Sequence, residues 1–508
     1  MKSLSERMTL YMDAGFPILY IATFEEDKAD RAIEEAAGNR EIVEWNVRGL
    51  LFKQSEEKVD GVTLPEALGN FANPNQTGSE KFAKRYDLRR RVLVLKDAQQ
   101  FLEAPDVVAQ LKYLSERIVS GQLADANIVV IAPRTCIPKE LEHYITILTV
   151  DYLSTEEIRH IIVRFCEEQG LGALHEDFLR ELALSFKGLP EFEIINILSL
   201  ALADNGEIGR ADLALIHEQK KQLVQKSGIM EMVPLKERIE DIGGLENLKD
   251  WLKRKAKVLK NIDKAEAFGV DLPKGVLISG LPGCGKSLNA KAAAALFEVP
   301  LLRLDMGRLM GKYVGESEAN LRQAIALAEA ISPCVLWIDE LEKAFAGISS
   351  AGGGHEVTTR LFGTFLTWMQ EKEGLAFVVA TANNIEHLPP ELLRKGRFDE
   401  IFYVGLPNPQ EREKIFAIHI GKRRKQDLPG IDIAALVRET EGYSGSDIEG
   451  VVKDAVEEAF TQDEPKLTTE LLLSAIHSTA SLSEIMKDAI EKMAKVYKER
   501  HFKNASIG

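Results

Sequence analysis

The sequence predicts an α/β protein of tandem design, with two similar units, each a parallel sheet flanked by helices, and chemistry only in the second. Three observations carry this. A glycine loop, Gly280-Leu281-Pro282-Gly283-Cys284-Gly285-Lys286-Ser287, stands between an apolar strand and an alanine-rich helix. A second apolar run, Cys334-Val335-Leu336-Trp337-Ile338, ends in Asp339-Glu340. Residues 1–225 then repeat the order of elements of the second half without its chemical residues.

Composition bounds the rest. At roughly 100–200 residues per domain, a chain of 508 residues makes three or four compact units. A hydrophobic fraction of 45% and a charged fraction of 28% are ordinary for globular protein. No apolar run approaches the ~18 residues of a membrane span, and the N-terminus is amphipathic rather than a secretory core. The expected compartment is the cytoplasm or an equivalent such as a plastid stroma. Cys136, Cys166, Cys284 and Cys334 are far apart with no metal-ligand spacing, so reduced thiols are expected. A net charge of −15 argues against nucleic acid as a partner of the whole surface.

The elements follow in order. Gly275 to Ser279 reads as a buried strand running into the glycine loop and the helix from Leu288 to Phe297. Strand, glycine loop and helix form the setting of a phosphate-binding loop. Glycines let successive N–H groups turn inward, and the helix N-terminus adds its positive end. Lys286 is placed to reach the β and γ phosphates of ATP, and the Ser287 hydroxyl to bind Mg²⁺. Asp339 would hold the same ion, directly or through water, while Glu340 orients the attacking water. A third strand, Ala376 to Asn383, places Asn383 at the γ-phosphate. Arg394 and Arg397, just after it, could present planar guanidinium groups away from their own site.

Phosphate loop, Asp-Glu strand, Asn383 and Leu392-Leu393-Arg394-Lys395-Gly396-Arg397-Phe398-Asp399, in this order, closely resemble the AAA clade proper of the AAA+ ATPases. The resemblance covers about residues 236–480. It implies a P-loop NTPase-like (AAA+) large α/β domain over 236–408 with its helical lid over 409–480, and with the repeat in the first half the reading becomes tandem P-loop NTPase-like (AAA+) domains, each with a helical lid. Glu240-Asp241-Ile242-Gly243-Gly244-Leu245 looks like the adenine-side entry motif, with Asp241 and Gly243 at the nucleotide. Pro282, Gly283, Cys284, Gly285 and Leu288 complete the loop, His419 matches the Ile-x-His position, and Gly445 and Ser446 open a lid helix that closes on the base. The ligands implied are ATP or ADP with Mg²⁺. The family's arginines act in trans in a ring, so Arg394 and Arg397 become fingers of a homo-hexamer. Met310-Gly311-Lys312-Tyr313-Val314-Gly315 matches a pore loop that grips polypeptide, with Lys312, Tyr313, Val314 and Gly315 lining the channel. The glycine-rich stretch 349–355 reads as a mobile loop facing the same pore.

The first half is a degenerate copy. Pro138-Lys139-Glu140-Leu141 parallels Pro389-Pro390-Glu391-Leu392, and helix starts at Ser154-Thr155-Glu156-Glu157 and Asn408-Pro409-Gln410-Glu411 both carry a cap and acids. The strand Pro17 to Ala22 runs into Thr23-Phe24-Glu25-Glu26-Asp27, whose acids would repel phosphates. Asn383 becomes Ala132 by distance from the proline motif, and the acidic strand becomes Val92-Leu93-Val94-Leu95-Lys96-Asp97. The expected divisions are 1–150 for a degenerate α/β domain, 151–225 for a lid-like helical piece, 226–235 for a linker and 481–508 for an amphipathic basic helix packing on the lid. Lys422-Arg423-Arg424-Lys425 reads as a solvated turn.

This layout resembles the conserved chloroplast-reading-frame AAA family of cyanobacteria, plastids and other bacteria, whose members in photosynthetic organisms are linked to inorganic-carbon use. The absence of an HExxH pair excludes the metalloprotease relatives. The implied function is Mg-dependent ATP hydrolysis by a ring that remodels or threads a protein partner. The alternative is a nucleotide-gated scaffold or regulatory switch without threading.

Overall fold

The computed structural model describes residues 3–23, 25–133, 135–150, 152–309, 316–345, 355–372, 374–461, 466–500 and 502–507. Lys312, Tyr313, Val314 and Gly315, and all but the last residue of the glycine-rich stretch, lie outside the described residues. The chain forms two compact units, one of Met1–Ala173 with Pro190–Ser199, the other of Leu174–Leu189 with Leu200–Gly508.

The first unit is built on strands β1 (Ile18–Ala22), β2 (Glu41–Asn46), β3 (Gly49–Phe52), β4 (Glu57–Asp60), β5 (Arg91–Lys96), β6 (Asn127–Ala132) and β7 (Ile145–Thr149). Their order is β4-β3-β2-β5-β6-β1-β7. The five strands from β2 to β7 in that order are parallel, and β3 and β4 fold back as antiparallel hairpins. Ile18 and Tyr20 pack into one core and Leu19 and Ile21 into another. Both faces of the sheet are therefore covered, and its inner strands read as unbroken apolar runs.

The second unit contains β8 (Met230–Val233), β9 (Gly275–Gly280), β10 (Leu301–Leu304), β11 (Cys334–Ile338), β12 (Ala376–Ala382), β13 (Glu400–Val404) and β14 (Lys503–Asn504). Their order is β14-β13-β9-β12-β11-β10-β8, parallel except for β8. The run β10-β11-β12-β9-β13 repeats the first unit's β2-β5-β6-β1-β7 strand for strand, so both units have the same α/β topology. Both expected helix starts carry full capping boxes, Ser154 with Glu157 and Asn408 with Glu411. The lid helices Pro409–Arg424, Ile433–Glu439, Gly445–Thr461 and Thr469–Ser478 enclose their own core of Phe416, Leu436, Ile448, Val452 and Leu472.

The structure differs from the sequence reading in four places. The stretch 226–235 is no free spacer, because β8 pairs antiparallel with β10 and Met230 and Met232 are buried. The piece 151–225 is divided, since Val224 inserts into the core under the second sheet. The C-terminal segment ends in a strand, β14, and its helix Lys487–Glu499 packs through Tyr497 and Met493 on the second sheet's core rather than on the lid. Finally, strand register shifts one correspondence. Lys96 pairs with Ile131, and Asp339 follows Ile338, which pairs with Ala380. Pro133, not Ala132, therefore stands where Asn383 stands; Ala132 matches Ala382.

Candidate nucleotide site

The site lies at the C-terminal ends of β9, β11 and β12, where an open parallel sheet leaves a crevice for ligand. β9 delivers the glycine loop. Gly285, with φ +84°, forms the N-cap of the helix Lys286–Phe297 in a conformation an L side chain resists. Lys286 is buried, and its Nζ donates to the loop carbonyls of Gly280 and Leu281 at 2.9 and 2.6 Å. Burial lowers its pKa, opposed by Cys284, Glu342, Asp339 and Glu340 nearby. The ammonium is thus stationed inside the loop, held by groups that phosphate oxygens could replace.

β11 delivers the acids. Ser287 Oγ donates to Asp339 Oδ1 at 3.3 Å. Glu340 adopts a left-handed φ of +51°, which turns its side chain out of the strand direction. Its Oε1 accepts from Asn383 Nδ2 at 3.1 Å, and its Oε2 pairs with Lys343 at 2.6 Å. The carboxyl of Glu342 accepts the Asn383 backbone amide at 2.9 Å, and burial pushes that carboxyl's pKa up.

Sequence reasoning missed Thr381. Its hydroxyl donates to Asp339 Oδ1 at 2.5 Å and accepts the Glu340 amide at 3.1 Å, so one buried side chain braces both acids. The available signal was a lone hydroxyl near the end of an otherwise apolar strand. Lys343 and Glu342 were missed too, being indistinguishable in sequence from solvated helix residues.

A cavity of about 320 Å³ adjoins the loop, lined by Asp241, Gly243, Gly283, Cys284, Gly285, Leu288, His419, Gly445 and Ser446 among others. Burial lowers the His419 pKa, and its Nδ1 is buried with no hydrogen-bond partner among the described residues. An imidazole kept neutral with one nitrogen unused suits a ligand that completes its hydrogen bonding. Gly283 permits the lid to touch the loop: a Cβ there would lie 2.9 Å from Ser444 Oγ, and Gly283 O accepts from the Ser446 amide at 3.0 Å. Burial raises the Cys284 thiol to about 11, so it stays protonated. Pro282 accepts a weak hydrogen bond from that thiol at 3.7 Å. Lys422 is no solvated-turn residue. It sits in the last turn of the first lid helix and pairs with Asp241 at 3.0 Å at the cavity, while Arg423 pairs with Glu449.

Arg394 and Arg397 lie elsewhere. Arg394 is exposed and lines a separate cavity of about 1370 Å³ that shares no residue with the His419 cavity. Arg397 is half-buried and donates to the Glu391 carbonyl.

Comparison with known proteins bears on this geometry. The model of the ATPase family associated with various cellular activities (AAA) matches residues 276–406, and that of the AAA+ lid domain matches 430–474. Models of the SpoVK-like AAA ATPase N-terminal and second domains match 4–150 and 156–227. The uncharacterized AAA domain-containing protein ycf46 of Guillardia theta is 38% identical over 95% of this chain and 93% of its own length. That of Pyropia yezoensis is 34% identical over 99% of each chain. The chain belongs to the ycf46 family of AAA ATPases. Like other AAA ATPases it binds nucleotide and hydrolyses ATP. A cell division cycle protein 48 homolog of Archaeoglobus fulgidus is 30% identical over 65% of this chain and 47% of its own length.

The first unit's corresponding place differs in this ycf46 member. Asp97 has the left-handed φ of Glu340, +52°, but Lys96 stands for Asp339 and pairs with Asp30 at 2.6 Å and Glu44 at 3.4 Å. Burial raises the pKa of Glu25 and of Glu26. An ion-paired lysine and two carboxyls with raised pKa thus stand at this place. No helix among the described residues is long and apolar enough to cross a membrane.

Proposed function

We propose that this ATPase works as a ring, most simply a homo-hexamer, that spends Mg²⁺-dependent hydrolysis on remodelling or threading a protein partner. The observation that supports the ring is the separation of the two cavities. A guanidinium on Arg394 that serves a phosphate must serve that of another copy, and a second arginine, Arg397, stands in the same segment.

Within one subunit, the base would occupy the cavity against His419, between Asp241, Gly243 and the lid residues Gly445 and Ser446. The loop amides from Gly283 to Ser287 and the Lys286 ammonium would hold the phosphates. A hydroxyl and a carboxylate side by side, Ser287 and Asp339, fit a hard cation such as Mg²⁺. The ion, when bound, neutralises phosphate charge. Asn383 holds one Glu340 oxygen, leaving that carboxylate in place to accept a hydrogen bond from water. Attack by that water on the γ-phosphorus forms one P–O bond as the bond to the β–γ bridging oxygen breaks, releasing ADP and phosphate.

Glu340→Gln tests the site. The variant should bind ATP and turn it over very slowly, whereas robust turnover would overturn the assignment. Tyr313→Ala tests threading against a nucleotide-gated scaffold. Loss of ATP-driven unfolding of a substrate, with basal hydrolysis kept within about tenfold, supports a gripping pore; parallel loss of folding and hydrolysis supports the scaffold.

A further inference from the structure

Ser279 stands on β9 immediately before the glycine loop and is fully buried. Its hydroxyl lies 2.5 Å from the phenol oxygen of Tyr497, far along the chain in the helix Lys487–Glu499. Tyr497 and Ile385, two residues beyond Asn383, belong to the same buried core cluster. The Tyr497 ring stacks on Tyr403 of β13 with centroids 4.1 Å apart and planes 26° apart. Lys492, on the same helix, pairs with Glu386 at 2.9 Å, a second tie to the turn after Asn383.

The helix carrying Tyr497 is anchored beyond both its ends. Before it, the Ser483 amide donates to Gly442 O at the lid. After it, β14 lies beside β13, the Ala505 amide donates to Tyr403 O at 2.9 Å, and Ala505 O accepts from the amides of Asn247 and Leu248 at 3.0 and 3.2 Å. A helix held this firmly links the strand that launches the phosphate-binding loop, through Tyr497, to the turn that follows Asn383.

We propose that Tyr497 is a positioning residue for ATP hydrolysis, acting through Asn383. By fastening Ser279 to the helix that shares a buried core with Ile385 and pairs with Glu386, it keeps the Asn383–Glu340 pair at a set distance from the phosphates. The inference rests on the roles given above to Asn383 and Glu340. The groups assigned to hold nucleotide, namely the loop amides, Lys286 and the His419 cavity, do not include the turn at Ile385. Releasing that turn therefore lowers turnover and spares binding.

Tyr497→Phe keeps the ring, its stack and the buried volume while removing the phenol oxygen that meets Ser279. In the full chain, kcat should fall about three- to tenfold, the worth of a buried uncharged hydrogen bond, with the Kd for ATP held within about twofold. Ser279→Ala should reproduce the effect without touching the helix. In an Asn383→Ala background, Tyr497→Phe should lower kcat little further, because the residue it positions is gone. A merely structural tyrosine predicts otherwise: an unchanged kcat, the same fold loss in both backgrounds, or a loss of binding in step with turnover, and any of these overturns the proposal. If Asn383→Ala alone leaves kcat unchanged, the assignment of Asn383 fails and the proposal falls with it. If Asn383→Ala collapses turnover and Tyr497→Phe does not lower it, only the proposal fails.

Discussion

Thr381→Val isolates what a single buried hydroxyl does at the acid pair. Valine matches the shape of threonine, and Thr381 is 1% exposed within a fully buried strand, so the backbone has no reason to move. Two hydrogen bonds are lost: the 2.5 Å bond to Asp339 Oδ1 and the 3.1 Å bond from the Glu340 amide. The first is made to a charged group, for which roughly 1.5–3 kcal/mol is the usual worth. The second leaves an unpaired amide at a residue already in a left-handed conformation. If the loss is felt in the transition state, kcat falls about 10- to 100-fold at about 1.4 kcal/mol per decade. Lys286 and the His419 cavity are untouched, so ATP affinity, followed with a fluorescent nucleotide, should change by less than about threefold. A kcat within about twofold of the parent would refute the bracing role, as would a loss of affinity equal to the loss of turnover.

Three further predictions follow from the geometry. Lys286→Ala in the full chain should abolish all ATP and ADP binding by calorimetry, because the first unit's crevice holds Lys96, Asp30 and Glu44 in place of a ligand; a residual micromolar site would contradict this. Arg394→Ala subunits should be nearly inactive, since fingers contribute roughly 10³–10⁵ in rate, and mixing them with Lys286→Ala subunits should recover activity; unchanged turnover of Arg394→Ala alone would end the in-trans role of that residue. Lys220 is 6% exposed, and burial lowers its pKa from 10.5 to about 8, with Cys334 opposing and Lys187 reinforcing. The folded state therefore binds its proton more weakly than the unfolded chain. The penalty, about 3 kcal/mol at 1.36 kcal/mol per unit, is fully present below pH 8 and is relieved as pH rises from there toward 10.5. Lys220→Met should raise the thermal midpoint at pH 7 by about 5 °C and by progressively less toward pH 10, followed by the fluorescence of Trp251, Trp337 and Trp368; a gain independent of pH would refute the cause.

Much of this protein was determined by its sequence alone. The glycine loop, the Asp339-Glu340 strand end and Asn383 are local patterns, legible because each needs a particular residue type beside a strand of period-free apolar character. The degenerate first copy was legible for the same reason, as capping residues and proline motifs recur at matching places. What only the tertiary structure decided are the contacts between residues distant in the chain. Strand register, set by pairing across the sheet, put Pro133 rather than Ala132 opposite the place of Asn383. Lys422, read as a surface charge, meets Asp241 because the lid folds back over the entry motif. Met230 to Val233 became a strand because β10 offered it an open edge. Nothing in the amphipathic pattern of the C-terminal helix singled out Tyr497, and its hydroxyl acquired a partner only when the C-terminal segment folded against β9. Short-range pattern reveals which groups can do chemistry; which buried polar atoms satisfy one another is a property of the packed core, where an unpaired hydroxyl is costly and the chain folds to pair it.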